Sequence, residues 1–128
     1  MSDRRERGRA QFERVMGMPA PPTAPDPFVE ATLDHLFADV WARPGLSLRD
    51  RRLVTLALLV AHGNESILRL HFGAAMRQQQ LTDAEIDELI LHVAHYAGWP
   101  GAALASQVVR QLRAERDAPA PAPKEPAR

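Results

Sequence analysis

The amino-acid sequence predicts an all-α protein of six helices. Apolar residues recur at helical spacing in successive segments, helix-start and helix-stop residues separate these segments, and no alternating strand pattern occurs. The 128 residues are 45% apolar, which is enough for one domain with a core. Nine of its 11 prolines cluster at Pro19–Pro27 and Pro119–Pro126 and therefore mark boundaries. We expect an N-terminal helix with a Pro-rich linker over 1–26, a helical domain over 27–116 and a disordered Ala/Pro tail over 117–128.

The first two helices lie on either side of the linker. Residues 3–17 alternate charged residues with Phe12, Val15 and Met16, and Gly17 stands where a helix would stop. Acidic residues interrupt the arginines of this helix, which indicates a face exposed to solvent or packed on a neighbouring subunit rather than a nucleic-acid arm. The second helix begins at Pro27, which suits a first turn, and it ends at Arg43-Pro44-Gly45.

The third helix has apolar residues on nearly every side. It starts at Ser47, which with Asp50 resembles a capping box, and runs to a break at Gly63. A helix that is apolar all round must be buried all round, and a domain this small achieves that most easily by association between subunits.

Three further helices complete the chain. Asn64 or Glu65 opens the fourth, whose Ile67 is expected to face inward and whose Arg77 and Gln78–Gln80 are expected to face outward. A capping box over residues 82–85 starts the fifth helix, which ends at Gly98. We expect a turn at residues 99–101 and a last amphipathic helix over residues 102–116.

Composition excludes several classes of function. The formal net charge is zero, so no global field favours nucleic acid or an anionic membrane. Because cysteine is absent, disulfides, thiolate metal sites and thiol redox chemistry are excluded. The first residues, MSDRRERGRAQ, lack the apolar region of a secretory signal, and the longest apolar run is far shorter than a membrane span. A cytoplasmic, soluble protein is expected.

Two positions stand out as candidates for chemistry. His71 lies on a largely apolar helix face, where a histidine is more often a core residue, although its near-neutral pKa would suit proton transfer in a cavity. Arg51 and Arg52 lie early in the apolar helix, a costly place for two cations unless an anion or a carboxylate meets one of them. His92 and His95 share the spacing i, i+3 but imply no third metal ligand, so no metal site is expected.

These residues resemble a known family. The segments RRLVTLALLVAHG and LRLHFGAAMRQQQLTDAEIDELILHVAHYAGWPGAALA are similar to the carboxymuconolactone decarboxylase family over roughly residues 28–112. The resemblance implies an orthogonal helical bundle, alkylhydroperoxidase D-like, that assembles as an obligate trimer or hexamer. The redox branch of the family carries a Glu, a Cys-x-x-Cys and a His; when that His is placed on His71, the cysteines fall on Asn64 and Ile67 and the Glu on Arg52. Thiol peroxidase chemistry is therefore excluded.

The other branch, resembling 4-carboxymuconolactone decarboxylases, keeps an arginine at Arg52 and a histidine at His71. The resemblance implies a cofactor-independent decarboxylation of 4-carboxymuconolactone in aromatic catabolism, with a small anion as the only ligand. It implies catalytic roles for His71, Arg52 and Glu65. Substrate-binding roles are implied for residues in the third and fifth helices and after the fifth: Arg51, His95, Tyr96 and Trp99. Two alternatives remain open: a reaction on another small anionic lactone or carbonyl compound, and a non-catalytic helical oligomer that binds a ligand.

Overall fold

A computed structural model describes residues 2–22 and 26–121, and within these ranges the chain forms six helices and no strand. The predicted all-α fold class is confirmed. The helices are α1 (Asp3–Met16), α2 (Pro27–Ala31, continuing as a π-helix over Thr32–Val40), α3 (Leu48–His62), α4 (Glu65–Arg77), α5 (Asp83–Ala97) and α6 (Trp99–Asp117). Most of the tail predicted to be disordered, and residues 23–25 of the linker, lie outside the described residues.

The ends of α3 and α4 are determined by local capping. The Ser47 hydroxyl accepts a hydrogen bond from the backbone N–H of Asp50 at 3.0 Å, which satisfies one of the free donors at the start of α3. Gly63 ends α3 in the left-handed conformation, with φ of 69°. The Asn64 side chain accepts from the N–H of Ile67 at 3.1 Å, so Asn64 rather than Glu65 caps α4.

The boundary between α5 and α6 differs from the prediction. The capping box at the start of α5 is present, with hydrogen bonds of 3.1 and 3.0 Å between Thr82 and Glu85. However, α6 begins at Trp99, directly after Gly98, so the expected turn at residues 99–101 is wrong. Pro100 does not break this helix because a proline in the first turn removes only an N–H that has no partner there.

The second helix also differs from the regular helix expected from its apolar spacing. Over Thr32–Val40 its backbone forms i→i+5 hydrogen bonds, and the N–H of Trp41 bonds the carbonyl of Leu36 at 2.9 Å. The buried residues Leu33, Phe37 and Trp41 recur every four positions. That spacing is compatible with an α-helix or a π-helix, so the sequence pattern could not distinguish them.

Helix α3 lies in the main core, packed against α4, α5 and α6. Its approach to α6 requires a glycine, because a Cβ on Gly101 would lie 2.4 Å from the carbonyl oxygen of Val60. A smaller cluster joins α1, α2 and α4 through Val15, Met16 and Trp41, together with Phe37 and Ala74. This second cluster positions the carboxyl end of α1 beside α4 and the start of α3.

Helix α3 is not buried on all sides within one chain. It buries one face, but Val54 and Leu58 on another face are 53% and 57% exposed. Ile67 on α4, expected to face inward, is also 38% exposed. Among the described ranges, no helix combines the length and the apolar character that a membrane crossing requires.

Candidate active site

Arg52 is a buried cation at the meeting point of α1, α3 and the α4–α5 connection. Its side chain is fully buried; Nε donates to the Gln80 side-chain oxygen at 2.9 Å, and Nη2 donates to the backbone carbonyl of Val15. The guanidinium carbon lies 5.7 Å from the ring centroid of Trp41, within the range of a cation–π contact. Nη1 is buried and has no hydrogen-bond partner among the described residues.

The environment of Arg52 disfavours its positive charge. Burial, and secondly the charge of Arg77, lower the pKa of Arg52 from 12.5 to about 10. The group remains charged at neutral pH but has no carboxylate partner within the described part of the chain. An anion would be the strongest available partner for this guanidinium.

His71 lies on α4 close enough to Arg52 for their charges to interact. It is half-buried, and its Nδ1 is buried without a hydrogen-bond partner in residues 2–22 and 26–121. Burial, and secondly the positive charge of Arg52, lower the pKa of His71 from 6.5 to about 4. The imidazole of the free protein is therefore neutral at pH 7.

This cluster also contains two side chains that the sequence did not indicate as part of a site. Arg77, in the last turn of α4, is exposed as expected, yet its Nη2 donates to the carbonyl of Met16 at 3.0 Å. Gln80, expected to face outward, is half-buried and orients Arg52. Neither contact leaves a sequence signal, since the first depends on how α1 packs against α4 and the second on how the connection after α4 folds back.

Arg51 is directed away from this cluster. Its Nη2 donates to the carbonyl of Arg43 at 3.2 Å, and the side chain lines a cavity of about 200 Å³ with Trp41, Leu46 and Val54. Glu65 is exposed at the first position of α4, six residues from His71, which corresponds to about 9 Å along the helix axis.

The other predicted substrate-binding residues lie near the end of α5 and the start of α6. His95 and Tyr96 line an open cavity of about 820 Å³ between α3 and α5, and Trp99 lines a separate cavity of about 360 Å³. The His95 ring packs edge-on to Trp99 at 5.7 Å, and Tyr96 is 84% exposed. Within one chain, the structure does not bring these residues to Arg52 and His71.

Arg52 is closed off from solvent, whereas His71 is half-buried. Four surface cavities of about 200 to 820 Å³ surround the helices, and none of these four is lined by Arg52 or His71. Arg77 does line one, a cavity of about 470 Å³ between α4 and α6. The described residues contain no group of three or more His, Asp or Glu side chains placed to hold a metal ion.

The fold and cluster define a small helical protein with an uncompensated buried arginine beside a neutral histidine. The Carboxymuconolactone decarboxylase family matches residues 26–111, about two thirds of the chain, and the chain belongs to this family. It is 41% identical over 76 residues to 4-carboxymuconolactone decarboxylase of Acinetobacter baylyi, covering 59% of this chain and 56% of that protein. It is 36% identical over 74 residues to nitrosuccinic acid decarboxylase of Metarhizium robertsii, covering 58% of this chain and 51% of that protein. The chain thus spans about half the length of these curated relatives.

Proposed function

We propose that this protein is a cofactor-independent decarboxylase that converts 4-carboxymuconolactone to 3-oxoadipate enol-lactone and CO2, as a step of aromatic catabolism. The observation that carries this proposal is the buried, uncompensated guanidinium of Arg52 beside His71. Two relatives named as decarboxylases support the reaction class.

The reaction determines what the protein must supply. The bond between the ring carbon and its carboxylate breaks, CO2 leaves, and the electron pair moves through the ring double bond onto the lactone carbonyl oxygen. A proton then adds to carbon to give the enol-lactone. Because the unsaturated lactone accepts the electrons itself, the protein needs only to bind the dianion, stabilise the developing oxyanion and deliver a proton.

The two named substrates share this chemistry. Nitrosuccinic acid, by its name, is a dicarboxylic acid with a nitro group, and a nitro group accepts electrons as a conjugated carbonyl does. In each substrate, one carboxylate is lost beside a built-in electron acceptor and a second carboxylate is retained. This supports decarboxylation as the reaction class and leaves another anionic lactone, carbonyl or nitro compound as an alternative substrate.

We assign Arg52 to the developing oxyanion. A guanidinium bound to the departing carboxylate would stabilise the ground state more than the transition state, because that carboxylate loses its charge as CO2 forms. A guanidinium at the lactone oxygen acts in the opposite way, since negative charge accumulates there. Burial strengthens this interaction because no water competes with it.

We assign His71 to proton delivery. The imidazole is neutral in the free protein, but a bound dianion beside it would raise its pKa and allow it to take up a proton. Glu65, Arg51, His95, Tyr96 and Trp99 are too dispersed to share this site within one chain, so the roles implied for them require a second copy.

The test is turnover of 4-carboxymuconolactone by the purified protein without added metal or cofactor, measured as the release of CO2. Arg52→Met is expected to lower kcat by roughly 100- to 1,000-fold and His71→Gln by roughly 100- to 10,000-fold. His92→Gln, an exposed histidine on α5, is the matched control and should keep the wild-type rate. Full activity in either site variant would refute the role given to that residue.

One observation favours a non-catalytic, ligand-binding role instead. Arg52 is fully buried, and the carboxyl end of α1 covers it. If the protein binds small dicarboxylates but releases no CO2 from 4-carboxymuconolactone or nitrosuccinic acid, this second function is the correct one.

We also propose that the chain self-associates through the exposed face of α3. Val54 and Leu58 lie one turn apart, and Leu36 and Leu46 border the same cavity as Val54 and are 41% and 46% exposed. Leu58→Asp should convert a trimer or hexamer to smaller species in light scattering, whereas Phe28→Asp, which replaces an exposed aromatic residue on α2 that lines none of the four cavities, is the control. A wild-type protein that is monomeric at all concentrations would contradict this proposal.

A further inference from the structure

The carboxyl end of α1 supplies the oxygen atoms that the cluster's two arginines contact. Arg52 donates to the carbonyl of Val15, and Arg77 donates to the carbonyl of Met16 at 3.0 Å. The last carbonyls of a helix lack intrahelical donors and lie at the negative end of its dipole. Two full positive charges therefore converge on two successive acceptors that carry only partial negative charge.

Several other arginines pair with carboxylates, although Arg9 and Arg51 also donate to backbone carbonyls. Arg5, Arg69 and Arg113 each contact a carboxylate, at 2.5, 2.9 and 2.9 Å. Within the described residues, Arg52 and Arg77 have no carboxylate partner, and Nη1 of Arg52 is buried without any partner. Carboxylate oxygens would form stronger, charge-assisted hydrogen bonds with both groups than the peptide carbonyls do.

Solvent reaches Arg77 but not Arg52 in the free protein. Arg77 lines the cavity of about 470 Å³ between α4 and α6, and the charged residues Glu115, which pairs with Arg69, and Arg116 line it as well. Gly73 gives the guanidinium room, because a Cβ there would lie 3.0 Å from Nη1 of Arg77. Arg52 lies behind Val15 and Met16, which are 0% and 2% exposed. Of the two guanidinium groups, that of Arg77 is therefore open to an anion, whereas that of Arg52 is covered by the end of α1.

We propose that Arg77 binds the retained carboxylate of a dicarboxylate substrate, and that the carboxyl end of α1 acts as a gate. In the free protein, the carbonyls of Val15 and Met16 accept the hydrogen bonds of Arg52 and Arg77 that the substrate would otherwise accept. The identity of the substrate rests on the proposed function, whereas the site itself requires only two carboxylates. The retained carboxylate keeps its charge throughout the reaction. Arg77 therefore stabilises ground state and transition state equally and affects KM rather than kcat.

Binding of succinate, measured by calorimetry at constant ionic strength, tests the site directly. Succinate should bind the protein more tightly than butyrate, which has one carboxylate. Arg77→Gln should weaken succinate binding by about 10- to 100-fold, the loss of one charge-assisted contact, and Arg77→Lys should weaken it less. Arg4→Gln is the control, because Arg4 is an exposed arginine that pairs with Asp39 and lines none of the four cavities. Failure of the wild-type protein to prefer succinate would overturn the proposal.

Hydrogen exchange tests the gate. Succinate should speed amide exchange in residues 12–17 at the end of α1, because the anion replaces the α1 carbonyls as the hydrogen-bond acceptor of Arg52 and Arg77. Amide exchange in α4 should become slower. If Arg77 serves only to cap α1, Arg77→Gln will loosen α1 without changing succinate affinity, and the proposal is wrong.

Kinetics separate this inference from the proposed function. Arg77→Gln should raise KM for 4-carboxymuconolactone by about 10- to 100-fold with kcat nearly unchanged. Succinate binding that depends on Arg77 in a protein without lactone turnover would refute the proposed function alone. If the protein turns over the lactone, and Arg77→Gln changes neither KM nor the affinity for succinate, this inference alone is refuted.

Discussion

The wild-type protein is expected to become less stable as the pH falls from 6.5 to 4, and replacing His71 by glutamine should abolish the part of this decrease that His71 causes. The pKa of His71 is about 4 in the folded protein, against 6.5 for an unperturbed histidine. Between these values the unfolded chain binds a proton that the folded protein does not, so stability falls as the pH is lowered. The difference amounts to about 2 kcal/mol at pH 5 and about 3 kcal/mol near pH 4.

The measurement is urea unfolding at a series of pH values, with the free energy of unfolding compared between wild type and His71→Gln. The free energy of unfolding of the variant, relative to that of wild type, should increase by about 2 kcal/mol between pH 7.5 and pH 5. His92→Gln, which replaces an exposed histidine, should follow the wild-type curve. A gap between wild type and His71→Gln that is independent of pH would refute the buried, neutral state assigned to His71.

The same titration connects stability to function. Saturating succinate should raise the pKa of His71, as observed through its ring resonances in NMR spectra, because a bound anion offsets the charge of Arg52. If succinate binds and the pKa stays near 4, the anion does not lie beside His71.

Three further predictions concern the packing and capping of the helices. Gly8→Ala should destabilise the protein by about 1–3 kcal/mol, because the new Cβ would lie 1.8 Å from the carbonyl oxygen of Leu33; Gly45→Ala, in open space, should have little effect in the same thermal melts. Gly101→Ala should cost a similar amount through its contact with α3, and equal melting temperatures for this variant and wild type would contradict the observed approach. Thr82→Ala should lose about 1 kcal/mol in urea unfolding, since it removes half of the capping box of α5, and an unchanged midpoint would show that the cap contributes nothing.

Helix starts that carry a capping side chain were predicted correctly from the sequence, whereas the second helix ends at Val40 and not at the predicted Arg43-Pro44-Gly45. A side chain such as Thr82 caps the backbone within three residues, so its effect is local and can be read from the chain. The start of α6 was missed because Trp99-Pro100-Gly101 is compatible with both a turn and a first helical turn. The prediction that the third helix is buried on all sides remains a prediction about an assembly, since one chain leaves Val54 and Leu58 open.

The composition and apolar spacing of the sequence by themselves determined the helical class, and the residues matching its family singled out Arg52 and His71. These features depend on residue types and short spacings, which the chain carries whatever its folded shape. Only the tertiary structure decided that Arg77 and Gln80 join Arg52, and that α1 closes over it. Those contacts join residues between 28 and 61 positions apart, and their existence depends on how three helices pack. The low pKa of His71 has the same origin, because burial and a neighbouring charge are properties of packing and not of sequence.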